Sequence, residues 1–274
     1  MRIFAYKTPD GPKAGMEKDG KIFGLAEDYS WADAVPVLHK YGAKAALMDR
    51  PLSAPRAAVP ATIASKILCV GVNYHEHAAE GKMPPPEFPN FFVRYISSLV
   101  ANDEPIILPR VSTKLDFEAE LVIIIGKGGR YIPREQALDH VLGYTTGMDG
   151  SVRDYQKRTS QFTLGKNFDR SGALGPYIVT PEELPAGAKG LKVQSRVNGQ
   201  LMQDGNTAEM IFDTAAIVSA ASEAITLQPG DVIFTGTPSG VGFARKPPVF
   251  LKDGDKVEVS VENVGTLKNQ VAAE

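Results

Sequence analysis

The chain has 274 residues and a mass of 29.5 kDa; 43% of the residues are hydrophobic and 23% are charged. These values are typical of a folded protein of one or two domains and exclude a mainly disordered chain. The net charge of -2 excludes a broad cationic surface for nucleic acid or anionic lipid. With no membrane-spanning apolar run, no secretory leader pattern and one cysteine, Cys69, the sequence predicts a cytoplasmic protein without disulfides.

The first third of the chain predicts a small α+β unit. Residues 2–6 and 21–25 form the pattern of short strands around the turn signal Asp19-Gly20, and residues 31–48 have a helical pattern. Residues 49–66 then carry three prolines among small residues, which is typical of a linker. We therefore expect an N-terminal domain over 1–65 and a larger domain over 66–274.

The larger part predicts many strands and few helices, and its 26 glycines and 20 prolines across the whole chain indicate frequent turns. Its strongest signal is the strand pattern at 117–125, which begins with alternation and ends as a fully apolar run. The other predicted strands are 67–70, 143–148, 194–203 as a hairpin around Asn198-Gly199, 231–235 and 256–271, and the predicted helices are 75–81, 134–141, 151–158 and 207–224. Because helices and strands do not alternate regularly, neither a Rossmann sheet nor a TIM barrel fits, and we expect a β-rich α+β fold.

Three carboxylates form the first candidate site. Glu118 and Glu120 are two residues apart on a predicted strand, so they point to the same face, and the apolar run after them leads into the core. Paired buried carboxylates are costly without a cation, which favours a site for a hard metal ion over a solvated strand face. Asp149 ends the next strand and would complete the set, although an N-cap role for Asp149 is an equal alternative.

Two of the four histidines lie in the predicted helix 75–81. His77 and Glu80 are three residues apart and therefore neighbours on one helical face, which is the arrangement of a histidine base oriented by a carboxylate. A surface ion pair is the alternative interpretation. A third one, a two-histidine iron site with His75 and His77, would leave the carboxylate pair unexplained.

Cations and a glycine-rich loop complete the candidates. Lys166 lies among apolar residues. Arg153 follows Asp149 by four residues, so a helix would bring Arg153 and Asp149 onto one side. Both cations are candidates for compensating carboxylates and binding an anionic substrate. Residues 235–242, Thr-Gly-Thr-Pro-Ser-Gly-Val-Gly, follow a predicted strand and can offer backbone donors to an anion, or simply form a tight turn.

In this order along the chain, these segments resemble the fumarylacetoacetate hydrolase family over about residues 66–271. The resemblance rests on Val70-Gly-Val-Asn-Tyr-His-Glu-His77, Asp116-Phe-Glu-Ala-Glu120, Gly143-Tyr-Thr-Thr-Gly-Met-Asp149 with Ser151-Val-Arg-Asp154, Thr163-Leu-Gly-Lys166, Leu227 to Gly242, and Gly265-Thr-Leu-Lys-Asn269. It implies a mixed β-sandwich roll with a smaller N-terminal domain, and typically a homodimer. A departure is Gly150, where many relatives carry an apolar residue; we expect it to loosen the neighbouring backbone.

The resemblance also implies roles for single residues. The metal ligands would be Glu118, Glu120 and Asp149, holding Mg²⁺ or, in some members, Mn²⁺ or Ca²⁺. The catalytic groups would be His77, Glu80 and Lys166. Substrate-binding positions would be Arg153, Gln156, Thr237 and Tyr74, and residues 81–92 would form a mobile segment over the site.

These roles predict hydrolytic C–C cleavage of an acylpyruvate-type 2,4-dioxo acid, a small anionic substrate. In this hypothesis His77, oriented by Glu80, activates water, and the metal stabilises the enolate that leaves. Donors for the oxyanion would be Lys166 and the loop around Thr237. The same site would also serve oxaloacetate decarboxylation or the isomerisation of a hydroxymuconate-type acid. An alternative of another class is a non-catalytic metal- or ligand-binding protein.

Overall fold

Residues 1–62 and 65–274 are described by a computed structural model of the chain. In the first part, the two predicted strands and the predicted helix are present as β1 (Arg2–Thr8), β3 (Lys21–Gly24) and α1 (Trp31–Tyr41), and a strand that was not predicted, β2 (Gly11–Lys18), pairs with both strands. The helix ends before the predicted residue 48 because Gly42 takes a positive φ of 53°, which stops a helix. The predicted linker has no helix or long strand where it is described, and its residues 63 and 64 lie outside the described residues.

The remaining elements follow from residue 67 onward. The helices are α2 (His75–Glu80), α3 (Arg153–Gln156), α4 (Thr163–Lys166) and α5 (Thr214–Ala224). The strands are β4 (Ile67–Val70), β5 (Phe91–Arg94), β6 (Leu99–Val100), β7 (Ile106–Leu108), β8 (Leu115–Asp116), β9 (Ala119–Ile125), β10 (Val141–Met148), β11 (Ser151–Val152), β12 (Gly172–Val179), β13 (Lys192–Val197), β14 (Gln200–Asn206), β15 (Val232–Phe234), β16 (Lys256–Val261) and β17 (Gly265–Ala273). Short 3₁₀ helices lie at Gly42–Lys44, Ile96–Ser98, Arg134–His140, Pro181–Glu183, Ala186–Ala188, Thr207–Glu209 and Gly242–Ala244.

Two mixed sheets form the frame. The larger one runs in the order β3-β2-β1-β12-β10-β9-β15-β4-β5, with β6 beside β12, and the smaller one runs β14-β13-β16-β17-β7. Most neighbouring strands are antiparallel, but β15 runs parallel to β4, β17 to β7 and β6 to β12. This is the β-rich α+β sandwich that the sequence predicts. Because β1 pairs with β12, strand pairing continues across the predicted boundary near residue 65, and the two-domain division stays a prediction.

The strand β9 is buried on both faces, which explains its unbroken apolar run. Leu121 and Ile123 point into the core between the two sheets, and Val122 and Ile124 point into a second core against α1. Side chains that alternate between two cores must all be apolar. The strand therefore runs from the acidic positions at its start into the most protected part of the molecule.

The helix predicted over 207–224 is interrupted by a tertiary contact. The backbone N–H groups of Ile211 and Phe212 donate to Asn73, at 2.8 Å to its carbonyl and 2.7 Å to its side chain. These bonds hold the segment before α5 extended, so α5 begins at Thr214, where Asp213 accepts from the N–H of Ala216. The chain between α2 and α5 is thereby fixed beside the candidate site.

The hairpin of β13 and β14 turns at Asn198 and Gly199, as predicted. Both residues have positive φ, 52° and 82°, which a two-residue type I′ turn requires. Cys69 is buried within β4, in agreement with a core role. In the part of the chain that is described, no helix is both long and apolar enough to cross a membrane.

Candidate functional site

Three carboxylates converge where β9 and β10 pair. Glu120 is opposite Gly147 in the antiparallel register, and the N–H of Asp149 donates to the carbonyl of Glu118 at 3.0 Å. This register places the side chain of Asp149, which follows β10, beside those of Glu118 and Glu120 at the start of β9. Ligand oxygens of Glu118, Glu120 and Asp149 all lie within 4.8 Å of one another, and all three residues are buried. The predicted convergence of these carboxylates is thus present.

Two alternatives for these residues do not fit the geometry. The N-cap of α3 is Val152, which makes no side-chain bond to the helix, so Asp149 is not a helix cap. His75 is exposed, and within the described ranges the acidic cluster contains no histidine, so the two-histidine iron site has no support.

Buried cations compensate two of the carboxylates. The ammonium of Lys166 lies 2.6 Å from Glu118 and 2.6 Å from Asp149, and Arg153 Nη2 lies 2.7 Å from Glu118. Burial alone would raise the pKa of Glu118, but Lys166 and Arg153 outweigh it and hold that pKa below its usual range. Burial alone would lower the pKa of Lys166, but the charges of Asp149 and Glu118 outweigh it and raise that pKa. Both cations therefore keep their charge.

Arg153 reaches the site by a route that the sequence did not indicate. Its Nε donates to Asp116 at 2.8 Å, and its Nη1 donates to Gln156 at 2.9 Å. Arg153 forms its ion pairs with Asp116 and Glu118, and the described residues show none between Arg153 and Asp149. The prediction that a helix brings Arg153 and Asp149 onto one side is therefore wrong, because the strand β11 separates them.

A buried arginine that the sequence analysis missed contacts Asp149. Arg94, at the end of β5, forms an ion pair with Asp149 and donates to the carbonyl of Gly150 at 3.0 Å and to the hydroxyl of Ser171 at 3.2 Å. In the sequence Arg94 is only the last residue of Phe-Phe-Val-Arg, and its partners Asp149, Gly150 and Ser171 are more than 50 residues away. No local pattern could have found it.

Glu120 is the carboxylate without a paired cation. Its only hydrogen bond among the described residues comes from the N–H of Gly236 at 2.7 Å. Burial, together with the charges of Asp149 and Glu118, raises the pKa of Glu120 well above its usual value. A cation at this point would relieve the repulsion, and three oxygen donors without sulfur or nitrogen suit a hard ion such as Mg²⁺ or Ca²⁺. The residues therefore fit a divalent metal.

The pair of His77 and Glu80 lies on α2 at the same cavity. His77 Nδ1 and a Glu80 oxygen are 2.7 Å apart, and the histidine is buried while the other oxygen of Glu80 accepts from the N–H of Gly240. This bond holds the ring so that Nε2 is the nitrogen left for chemistry. The contact is the one that the spacing of three residues predicts.

The glycine-rich loop donates to the protein's own carboxylates. The N–H groups of Gly236, Gly240 and Gly242 bond Glu120, Glu80 and Asp116. These donors are therefore used in positioning acidic side chains, and not held open for a substrate anion. The hydroxyl of Thr237 is similarly engaged: it donates to the carbonyl of Ala119 at 2.9 Å and accepts from Gln203 at 2.8 Å.

A cavity of about 500 Å³ joins these groups. His77, Lys166, Arg153, Gln156, Thr237 and the three carboxylates line it, together with Phe92, Phe162 and Phe243. Residues 83–90 contain no helix or strand, in keeping with their run of prolines, and Met83, Pro84 and Pro86 border the cavity. The segment 81–92 thus lies where the resemblance puts it, and its mobility stays a prediction.

Two expectations need correction. Tyr74 does not line the cavity: its ring is buried, its hydroxyl has no hydrogen-bond partner among the described residues, and burial raises its pKa. Gly150 does not loosen the backbone, because a Cβ there would lie 1.8 Å from the carbonyl oxygen of Ser171. Gly150 instead permits a close approach of two backbone segments beside Asp149.

Comparisons with known proteins find relatives along nearly the whole chain. The family model described as "Fumarylacetoacetate (FAA) hydrolase C-terminal" matches residues 66–272. The curated "Oxaloacetate tautomerase FAHD2B, mitochondrial" of Bos taurus is 39% identical over 289 residues, which cover 99% of this chain and 91% of the relative.

Two solved structures have a similar fold along the whole chain. The fumarylacetoacetate hydrolase from psychrophilic Exiguobacterium antarcticum has a TM-score of 0.84 at 35% identity and covers 100% of both chains. The 2-hydroxyhepta-2,4-diene-1,7-dioate isomerase from Mycobacterium marinum has a TM-score of 0.80 at 34% identity, covering 100% of this chain and 99% of the other.

Proposed function

The chain is an enzyme of the fumarylacetoacetate hydrolase family, and from this premise we propose that it catalyses tautomerisation of a small 2-oxo dicarboxylic acid of the oxaloacetate type. The observation that carries the proposal is the His77–Glu80 pair, which shares one cavity with the acidic cluster and two buried cations. A positioned base beside a site for the charge of an enolate is what proton transfer next to a carbonyl requires. The bovine relative, named an oxaloacetate tautomerase, matches nearly the full chain.

The proposed reaction moves one proton and breaks no bond between heavy atoms. Nε2 of His77 takes a proton from the carbon next to the 2-oxo group, and the same nitrogen returns it to the oxygen. Glu80 stabilises the protonated ring through the 2.7 Å contact with Nδ1. A divalent metal held by Glu118, Glu120 and Asp149 would supply Lewis-acid stabilisation of the negative charge that develops during this transfer.

The buried cations would bind and orient the anionic substrate. Lys166 lies between Glu118 and Asp149, so its ammonium faces the reacting end of the cavity. Arg153 Nη2, although 2.7 Å from Glu118 Oε1, is not aligned with it as a hydrogen bond, and no other acceptor in the described part of the chain satisfies it. A buried guanidinium nitrogen with a donor to spare is suited to a substrate carboxylate. Gln156, which contacts Arg153, would position it.

Hydrolytic C–C cleavage of a 2,4-dioxo acid is the second candidate. The cavity of about 500 Å³ is larger than a four-carbon acid needs, which favours a longer substrate or room for an attacking water. In that reaction His77 would remove a proton from water instead of carbon. Decarboxylation of oxaloacetate would use the same groups. The cytoplasmic location and the homodimer also stay proposals; the name of the bovine relative places that protein in mitochondria.

Proton NMR in D₂O separates these reactions. With Mg²⁺ or Mn²⁺ present, tautomerisation exchanges the C3 protons of oxaloacetate for deuterium faster than the uncatalysed rate and leaves the carbon skeleton intact. Decarboxylation yields pyruvate, and hydrolysis of an acylpyruvate yields two acids. Intact oxaloacetate with no accelerated exchange would refute the tautomerase proposal, and the acylpyruvate reaction would then decide for the second candidate.

A further inference from the structure

A cation outside the acidic cluster lies at the mouth of the cavity. Lys157 is exposed, lines the cavity, and holds its ammonium 4.5 Å from the centre of the Phe243 ring. Among the described residues no carboxylate lies within salt-bridge distance of it. None of the roles assigned above uses Lys157.

Lys157 is aligned with Arg153 by the short helix α3. The N–H of Lys157 donates to the carbonyl of Arg153 at 3.2 Å, so the two residues lie one turn apart on one helical face. The guanidinium of Arg153 lies 4.4 Å from the same Phe243 ring centre. One aromatic ring thus has a buried cation and an exposed cation beside it.

Asp116 holds both Arg153 and the backbone of Phe243 in place. Its carboxylate accepts from Arg153 Nε at 2.8 Å and from the N–H of Phe243 at 2.9 Å. The ring and the buried cation are therefore held by one anchor, and the ring in turn supports the Lys157 ammonium. Cations over an aromatic face are stabilised by the ring quadrupole and stay available to an anion.

The spacing of the two cations suits a substrate with two carboxylates. Each lies within 4.5 Å of the ring centre, so they are no more than about 9 Å apart. An extended carbon chain advances roughly 1.3 Å per bond, as in the 3.8 Å across three bonds of a peptide unit, so the carboxyl carbons of a seven-carbon diacid are about 7.6 Å apart. Because about 9 Å is the largest separation that the two ring contacts allow, the substrates expected to place one carboxylate beside each cation are diacids of about this length or shorter.

We propose that Lys157 binds the distal carboxylate of a dicarboxylic 2-oxo acid whose reacting end lies at the acidic cluster. This inference rests on the proposed function and specifies its substrate class: Lys157 makes the enzyme prefer diacids over monoacids of equal length. The acidic residues of the cavity all lie at its inner end, so the charge at its mouth is positive where the second carboxylate would arrive.

The test is calorimetric binding of two six-carbon probes, 2-oxoadipate and 2-oxohexanoate, with Mg²⁺ in excess. The probes differ only in the distal carboxylate. A charge-assisted hydrogen bond predicts that the wild type binds the diacid about tenfold more tightly. Lys157→Met removes this preference and Lys157→Arg retains it.

Arg158→Met is the matched control, because Arg158 is the next cation along the chain, is exposed, and packs on Tyr155 outside the cavity lining. This variant keeps the tenfold preference. If Lys157→Met keeps it as well, or if the wild type binds both probes equally, the Lys157 subsite is wrong while the proposed function stands. If the wild type binds neither probe, the 2-oxo acid class itself fails, and the subsite with it.

Discussion

The guanidinium of Arg94 and the carboxylate of Asp149 form an ion pair in which both side chains are fully buried. Arg94 also donates from Nε to the hydroxyl of Ser98 at 3.1 Å and from Nη1 to the carbonyl of Gly150 at 3.0 Å, so its planar fork ties β5 to the end of β10. Asp149 is thereby fixed in position before any ligand binds. We regard Arg94 as the residue that orients this member of the acidic cluster.

Replacing Arg94 should destabilise the fold. Arg94→Met leaves a buried carboxylate with Lys166 as its remaining cation, and breaking a buried pair costs about 3 kcal/mol of unfolding free energy. Arg94→Lys keeps the charge without the fork and should lose less. Urea denaturation measures both. Arg134→Met breaks the exposed pair with Asp213 and should cost less than about 1 kcal/mol; an equal loss in Arg94→Met would contradict the role given to Arg94.

The effect of Glu120→Gln should change sign with the metal. Without metal, the substitution removes a carboxyl group whose ionised form is destabilised by burial and by the charges of Asp149 and Glu118, and it keeps the acceptor for Gly236, so stability should rise by about 1 kcal/mol. The wild type should gain about 2.7 kcal/mol when Mg²⁺ is at a hundred times its Kd, and the variant should gain much less. Thermal denaturation in EDTA and in Mg²⁺ gives both values. An undiminished gain in the variant would exclude Glu120 as a ligand.

Substitutions in the histidine–glutamate pair should separate catalysis from metal binding. His77→Gln removes the proposed base and should lower kcat about 10²- to 10⁴-fold, and Glu80→Gln should lower it less, since the base remains but loses its charged partner. Both variants should keep the Mg²⁺-dependent thermal shift, because neither residue belongs to the acidic cluster.

The matched control for this pair is His75→Gln. His75 is exposed, two residues away on the same helix, and does not line the cavity, so its removal should leave kcat near the wild-type value. Turnover by His77→Gln at the wild-type rate would disprove the assignment of the base.

Local pattern predicted the strand β9 and the convergence at its start, because alternation and strand pairing are properties of neighbouring residues. It placed Glu118 and Glu120 on one face and Asp149 at the end of the adjacent strand. It could not find Arg94, whose partners are distant in sequence. It also misplaced Arg153, since its contact with Asp116 depends on the pairing of β11 with β8, two strands that are more than 30 residues apart in the sequence.

The same limit applies to helix ends. The interruption before α5 is caused by hydrogen bonds to Asn73, about 140 residues earlier, and within residues 207–224 only the capping residue Asp213 could have indicated the later start of the helix. The glycine-rich loop was recognised as a source of backbone donors, but which carboxylates it serves depends on packing alone.

Gly150→Ala should disturb both the fold and the acidic cluster. The added Cβ would lie 1.8 Å from the carbonyl oxygen of Ser171, so the two backbone segments must separate, at a cost of about 3 kcal/mol. Because the carbonyl of Gly150 also accepts from Arg94, this separation should weaken the positioning of Asp149. Urea denaturation and Mg²⁺ titration measure the two effects. A variant with wild-type stability and Mg²⁺ affinity would show that the backbone adapts easily.

The contact between α1 and the large sheet should make stability depend on pH through His39. Its Nε2 lies 3.0 Å from the carbonyl oxygen of Asp139, and its ring packs so closely on Gly126 that a Cβ there would lie 2.2 Å away. Burial, with the charges of His140 and Lys127, lowers the pKa of His39 below its usual 6.5, although the bond to Asp139 opposes this. The folded protein therefore holds the ring neutral, with Nε2 donating.

Whether stability rises or falls with pH depends on which state, folded or unfolded, takes up the proton at the higher pH. As the pH falls below about 6.5, the unfolded chain protonates His39 before the folded chain does, so this contribution to stability is complete above that value and is lost below it. Urea denaturation at about pH 7.5 and about pH 5.5 should show the wild type losing more unfolding free energy than His39→Gln, because only the wild type carries the ring whose pKa is lowered by folding. His75→Gln should keep the wild-type pH dependence. If His39→Gln keeps it too, other groups cause the acid sensitivity and the docking of α1 does not depend on the charge of this ring.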